Sequence, residues 1–181
     1  LVFSTIREEN IMNTPMSSGA ATLLCAAAAL SVPAGASADA AAAFPLAGSW
    51  TLVAADQLRA DGSRARDYGE APHGMLFIDN QGRYSLQIYQ SERPAFASGD
   101  KKNGTAAEYQ AASLGASTHF GTIAIDAGAH TLAFHIQSAA FKNWEGSVQQ
   151  RRYELNGDEL SYRVPPRADG SIPISVWRRL K

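Results

Sequence analysis

This 181-residue chain has a single cysteine, Cys25, set in an apolar stretch near its start. The remainder therefore offers no disulfide, no thiolate nucleophile and no zinc–thiolate centre. Charge of one sign is missing too: 16 Lys and Arg stand against 17 Asp and Glu, a net charge of -1. That balance leaves no global field to attract nucleic acid or an acidic membrane surface. The four histidines, His73, His119, His130 and His135, show neither H-x-H nor H-E-x-x-H spacing, so no metal site is expected. No glycine-rich phosphate loop follows a strand; Gly62, Gly82, Gly128 and Gly157 sit in turns, and no cofactor is expected. Asp126, Asp158 and Glu159 also fall at turns, without the spacing of a glycosidase pair. Long apolar runs are absent as well, apart from one at residues 19–38. It is broken by Ser31-Val32-Pro33, which is too weak for the ~20 apolar residues of a membrane span, so no stable membrane anchor is expected.

What is there divides into three parts. Residues 1–38 hold an upstream segment, with Met12 or Met16 as the expected start, and "GAATLLCAAAALSVPAGASA" from Gly19 to Ala38. An apolar run closed by Pro33, Gly35 and small residues resembles a secretory signal peptide cleaved before Asp39, which predicts a periplasmic or secreted protein. Leu24 precedes Cys25 where a lipoprotein site needs a small residue, so lipidation is not expected. Residues 39–46 read as a flexible, Ala-rich lead-in, and residues 47–181 as one domain.

Within the domain the pattern is strand, turn, strand. "SWTLVAADQ", "GMLFID", "RYSLQIYQ", "STHFGTIAID", "HTLAFHIQS", "SVQQRRYEL", "ELSYRV" and "IPISVWRRL" alternate or are rich in β-formers, and turn residues separate them. Eight strands at hairpin spacing predict an all-β fold, an up-and-down antiparallel β-barrel or a sandwich. One insertion interrupts the spacing, "RPAFASGDKKNGTAAEYQ" from Arg93 to Gln110. Thr105 and Glu108 have capping-box spacing and "AAEYQAASL" closes on Gly115, so a short helix is expected there, covering one barrel end. Ser98 and Asp100 suit side-chain to backbone bonds within that loop.

A barrel is favoured over a sandwich by its two chain ends. Gly48-Ser49-Trp50 opens the first strand, and Arg178 and Arg179 lie in the last. In a closed barrel these strands are neighbours, so an arginine, with Arg178 as the candidate, stacks on Trp50 and closes the bottom. With this start, "GMLFIDNQGRYSLQI", "RPAFASGD", the Glu108-Tyr109 helix, "HFGTIAID", "FKNWEG" and "QQRRYEL" follow in order. Together they resemble the bacterial and fungal lipocalin-like domain family, over about Ala47 to Leu180. The resemblance implies a calycin-type barrel with an internal small-molecule cavity. Two positions depart from the family's pattern: His119 stands where an aromatic such as Tyr is common, and Phe134 replaces the first of a frequent His-His pair, leaving His135.

Strand parity selects the cavity candidates. Tyr84, Leu86 and Ile88 share one face of their strand, and His119 shares the apolar face of the next with Ile123 and Ile125. Arg151 is on one face with Tyr153 and Leu155; inside a barrel it needs an anion, either a protein carboxylate or a ligand's acid group. His135 lies opposite Leu132, Phe134 and Ile136, which points it outward; only the family resemblance makes it a candidate. Phe96, Tyr109 and Trp144 are large aromatics in the insertion and the "FKNW" loop, suited to a ligand mouth or to capping the core.

Three functions remain open. The first is an exported barrel binding a small apolar or aromatic molecule, with Tyr84, Phe96, Tyr109, His119, His135, Trp144 and Arg151 as the ligand-binding set. The second is a cofactor-free isomerase, cyclase or lyase with His119 or His135 moving a proton and Arg151 or Tyr84 steadying charge. The third is a purely structural barrel filled by its own side chains.

Overall fold

The computed structural model describes residues 43–181. The segment expected to be a signal peptide, its expected cleavage point, Cys25 and the start of the lead-in lie outside the described residues. Nine strands form: β1 (Gly48–Leu58), β2 (Arg64–Ala65), β3 (His73–Ile78), β4 (Arg83–Tyr89), β5 (Ala116–Asp126), β6 (Thr131–Ala139), β7 (Val148–Asn156), β8 (Glu159–Arg163) and β9 (Ile172–Arg179). β2 is a two-residue spur on β1, and the other eight run antiparallel in chain order. β1 then pairs with β9, from Trp50 opposite Arg179 to Leu58 opposite Ile172, so the sheet closes on itself and the barrel has eight strands. Closure satisfies both edges of the sheet, and an eight-stranded interior is narrow enough for side chains to fill or to hold one small ligand.

The alternation seen in sequence is the reason for this arrangement. In β4, Tyr84, Leu86 and Ile88 are buried while Arg83, Ser85, Gln87 and Tyr89 are not. The same period of two buries Leu132, Phe134 and Ile136 in β6. Each β-strand expected from the sequence is found within two residues of its expected ends. The β5–β6 ladder skips Gln137, where a side chain on Gly121 would come within 2.0 Å of the His135 carbonyl oxygen, so glycine is required at this bulge.

An up-and-down barrel puts alternate connections at opposite ends, and here the two ends differ. Tight turns join β3 to β4, β5 to β6 and β7 to β8 at one end; Gly82 (φ +76°) and Gly157 (φ +59°) take the left-handed conformation that the first and last of these need. This end is packed solid: Leu46, Trp50, Leu76, Leu132, Leu160 and Trp177 are essentially inaccessible. Trp50 Nε1 donates to the Leu46 carbonyl at 3.0 Å. The end of the lead-in therefore belongs to the core. The cation that closes this end is Arg179, not Arg178. Arg179 shares the inward parity of Trp177 and its guanidinium lies 4.1 Å from the Trp50 ring centre, donating to the carbonyls of Ala47 and Pro45. Arg178 points outward on the other parity and faces Glu159.

The long connections, 59–72, 90–115, 140–147 and 164–171, all leave from the other end. In the second, helix α1 spans Ala106–Leu114 behind the expected capping box. Thr105 Oγ1 accepts from the Glu108 amide at 3.2 Å, and Glu108 Oε2 accepts from the Thr105 amide at 2.6 Å. Glu108 Oε1 also accepts from the Ala97 amide at 2.6 Å, which ties the helix to the loop before it. Phe96 and Tyr109 pack edge to face with ring centres 5.3 Å apart, and Gly104 gives them room, since a Cβ there would meet Phe96 at 2.2 Å. The insertion is thus held mainly by its own contacts, and no helix residue is buried.

Candidate functional site

Toward the end that carries the long connections, the barrel core gives way to a cavity of about 360 Å³. Leu86 and Ile88 of β4, Ser117 and His119 of β5, Arg151 of β7 and Tyr162 of β8 form its depth. Tyr68 from the 59–72 connection, Pro165 and Pro166 from the 164–171 connection, and Trp144 from the short 3-10 turn Lys142–Trp144 form its mouth. Arg167 bridges the two mouth connections, donating to Asp67 at 2.7 Å and to Gln57 at 3.0 Å. No residue of the insertion lines the cavity, so Phe96 and Tyr109 stand beside the open end and supply none of its wall.

Three polar groups form a chain at the base of this cavity. The Tyr84 hydroxyl is 2.7 Å from His119 Nδ1, and Arg151 Nη2 is 3.3 Å from His119 Nε2. Arg151 Nη2 also donates to Gln149 Oε1 at 2.9 Å. Burial, then the Arg151 charge, push the His119 pKa down from 6.5 to about 3, so the imidazole is neutral at physiological pH. A guanidinium only donates, hence Nε2 carries the lone pair and Nδ1 the proton, which it gives to the Tyr84 oxygen. Burial also raises the Tyr84 pKa, keeping that hydroxyl protonated. Tyr84 itself lies behind His119, below the cavity wall.

Arg151 is set there by β7 alternation, which turns Gln149, Arg151 and Tyr153 inward. Its guanidinium carbon lies 3.9 Å from the Phe134 ring centre and 5.0 Å from that of Tyr162. It forms no ion pair among the described residues, and its Nε is buried without a hydrogen-bond partner, as is the Tyr162 hydroxyl. Burial depresses its pKa, the direction expected for a desolvated cation. Of the two alternatives read from sequence, an internal salt bridge is therefore absent among the described residues.

Trp144 meets His119 edge-on at 6.0 Å, placing an aromatic wall next to the polar chain. The turn that carries it is fixed by Glu145, which accepts from Ser138 Oγ at 2.7 Å and pairs with Lys142. His135 is exposed on the outer wall, as its amphipathic pattern dictates, and does not reach the cavity. Phe134 takes the inward place beneath Arg151. Among the sequence candidates, His119, Arg151 and Trp144 converge on one cavity; Tyr84 supports them, and Phe96, Tyr109 and His135 lie elsewhere. Sequence reasoning missed Tyr68, Gln149, Tyr162 and the Asp67–Arg167 pair. Parity on β7 and β8 was a usable signal for Gln149 and Tyr162, whereas nothing local links Asp67 to Arg167. Among the described residues no three His, Cys, Asp or Glu side chains group as metal ligands.

No curated protein and no solved structure matches the chain significantly. The family model described as a lipocalin-like domain matches residues 47–180, which spans every strand of the barrel and all the residues of the cavity just described. The chain therefore belongs to the lipocalin-like domain family.

Proposed function

We propose that this protein binds a small, largely apolar or aromatic molecule in the cavity at the open end of its barrel. The observation that carries this reading is the cavity itself: about 360 Å³, walled by Leu86, Ile88, Trp144, Pro165 and Pro166, with polar groups set among them, His119, Gln149 and Arg151 on β5 and β7 and Asp56 and Ser175 on β1 and β9. That volume and that mixture are typical of small-molecule sites. A purely structural barrel would carry its packing through both halves, as it does at the Trp50 end. Export follows from the sequence of residues 19–38, and N-terminal sequencing of the natural protein tests it, with Asp39 as the expected first residue.

A second reading, a cofactor-free isomerase, cyclase or lyase, is favoured by one observation, the convergence of Tyr84, His119 and Arg151. An imidazole with a pKa near 3 and both nitrogens engaged is a weak base, so binding is the better-supported function. Native mass spectrometry of protein purified gently from its natural source tests the binding reading. A stoichiometric small-molecule adduct that is lost on unfolding is the expected result. Protein free of any adduct across growth conditions, and refractory to a library of small aromatic compounds, would contradict it.

A further inference from the structure

Among the described residues Arg151 is the one buried cation that the barrel leaves without a counter-charge. It is 4% exposed, deeper than any other Arg or Lys among the described residues. The two carboxylates that border the cavity each have a cation of their own, Asp56 through Oδ2 with Arg64 at 2.6 Å, its Oδ1 buried without a partner, and Asp67 with Arg167 at 2.7 Å. Resting on the cavity reading above, we propose that the ligand is an organic monoanion that enters acid-first, its carboxylate or equivalent oxyanion accepting from Arg151 and its apolar body lying along Leu86, Ile88 and Val164 toward the mouth.

The donor inventory of Arg151 supports this. Of its five N–H groups, the two on Nη2 serve Gln149 and His119. The Nε–H has no partner. Stacking over Phe134 and Tyr162 engages the faces of the guanidinium and leaves its planar edge, the part that recognises an oxyanion. Tyr162, buried to 1% exposure, places its hydroxyl, likewise unpartnered, beside it as a neutral donor. A cationic ligand meets repulsion here, and a neutral one leaves a dry, unpaired charge beneath it. One guanidinium next to a neutral imidazole balances one negative charge, which selects a monoanion over a dianion such as a phosphate ester. The surrounding wall, Leu86, Ile88, Val164 and the two mouth prolines, suits a hydrocarbon or aromatic body.

The test uses matched acids and primary amides of nearly equal shape: benzoic acid and benzamide, naphthoic acid and naphthamide, decanoic acid and decanamide. Each is titrated into the full chain at neutral pH and fixed ionic strength, with Trp144 fluorescence and calorimetry as readouts. At least one acid should bind about 10- to 100-fold more tightly than its amide, the ratio expected when a neutral acceptor replaces a charged one on a buried donor. In Arg151→Met that preference should disappear. Equal affinity for acid and amide in every pair that binds would overturn the monoanion and leave the cavity reading standing. No binding by any member of any pair would overturn the cavity reading and this inference with it. If Arg151→Met does not fold, the acid-to-amide ratio on the unaltered protein decides the matter alone.

Discussion

Two arginines, one at each end of the barrel, stack on aromatic rings in nearly the same way and do different work. Arg179 lies 4.1 Å from Trp50, half-buried, and its N–H groups are taken by backbone carbonyls of the lead-in. Arg151 lies 3.9 Å from Phe134, fully inside, with an unpartnered Nε and no anion. At the first end the cation completes the packing of a filled core. At the second it faces an apolar cavity and leaves a charge for something else to meet. A buried cation that the fold itself does not neutralise marks a place where stability gives way to recognition.

The comparison is broken most severely at the closed end. Trp50→Ala should cost ~3–5 kcal/mol, since it opens a void in packed core and removes the platform of Arg179. Urea unfolding measures this, and a loss below about 1 kcal/mol would mean the closed end is not the packed half.

Acid sharpens the comparison from the open end. The folded-state pKa of His119 lies below its unfolded value of 6.5, lowered by burial and then by Arg151. The unfolded chain therefore takes up a proton first as pH falls, and stability is full above about 6.5 and declines toward about 3. The lowered carboxylates Asp61, Asp79, Glu108, Glu145 and Asp169 add to this only below ~4.5, so the interval from about 6.5 to 5 isolates the histidine. Stability should fall there by up to ~1.4 kcal/mol per pH unit, and His119→Gln should flatten the slope. An unchanged slope in that variant would place the titration elsewhere.

Exchanging each arginine for methionine compares the ends directly. Arg179→Met should lose ~1 kcal/mol through the stacked pair and its carbonyl contacts. Arg151→Met should leave stability unchanged or raise it by ~1–2 kcal/mol, because a charge without a counter-ion is replaced by an apolar side chain of similar length. Thermal unfolding of the two variants side by side checks the opposite signs. The smallest effect belongs to the insertion: Phe96→Ala should loosen residues 93–115 to proteolysis while leaving ligand affinity within about 2-fold, because Phe96 touches Tyr109 and not the cavity.

Much of this was legible in the sequence, for definite reasons. A period of two survives in most strands, β1 with its irregularity at Leu52–Ala54 apart, because one face of a closed barrel is always core, so the strands and the inward turn of His119 could be read by parity. The helix was legible because its capping box is local, with Thr105 and Glu108 three residues apart. Arg151 was legible as a face, but whether a carboxylate met it depended on neighbours distant in sequence. Arg178 was chosen over Arg179 although Trp177 sets the parity; once Trp177 is core, Arg179 follows. His135 entered only through family resemblance, and its own strand pattern had already turned it outward. The mouth was not legible, since the Asp67–Arg167 pair joins loops 100 residues apart. The insertion's motif resembled a lid, yet its spacing serves the contacts among Phe96, Gly104, Glu108 and Tyr109.

The most direct test of the contrast between the two ends is a backbone-amide NMR titration of the full chain with naphthoic acid. The account predicts shift changes concentrated at Leu86, Ile88, Ser117, His119, Gln149 and Arg151, with Leu76, Leu132 and Leu160 unmoved. Changes centred on the closed end or scattered over the outer wall would contradict it.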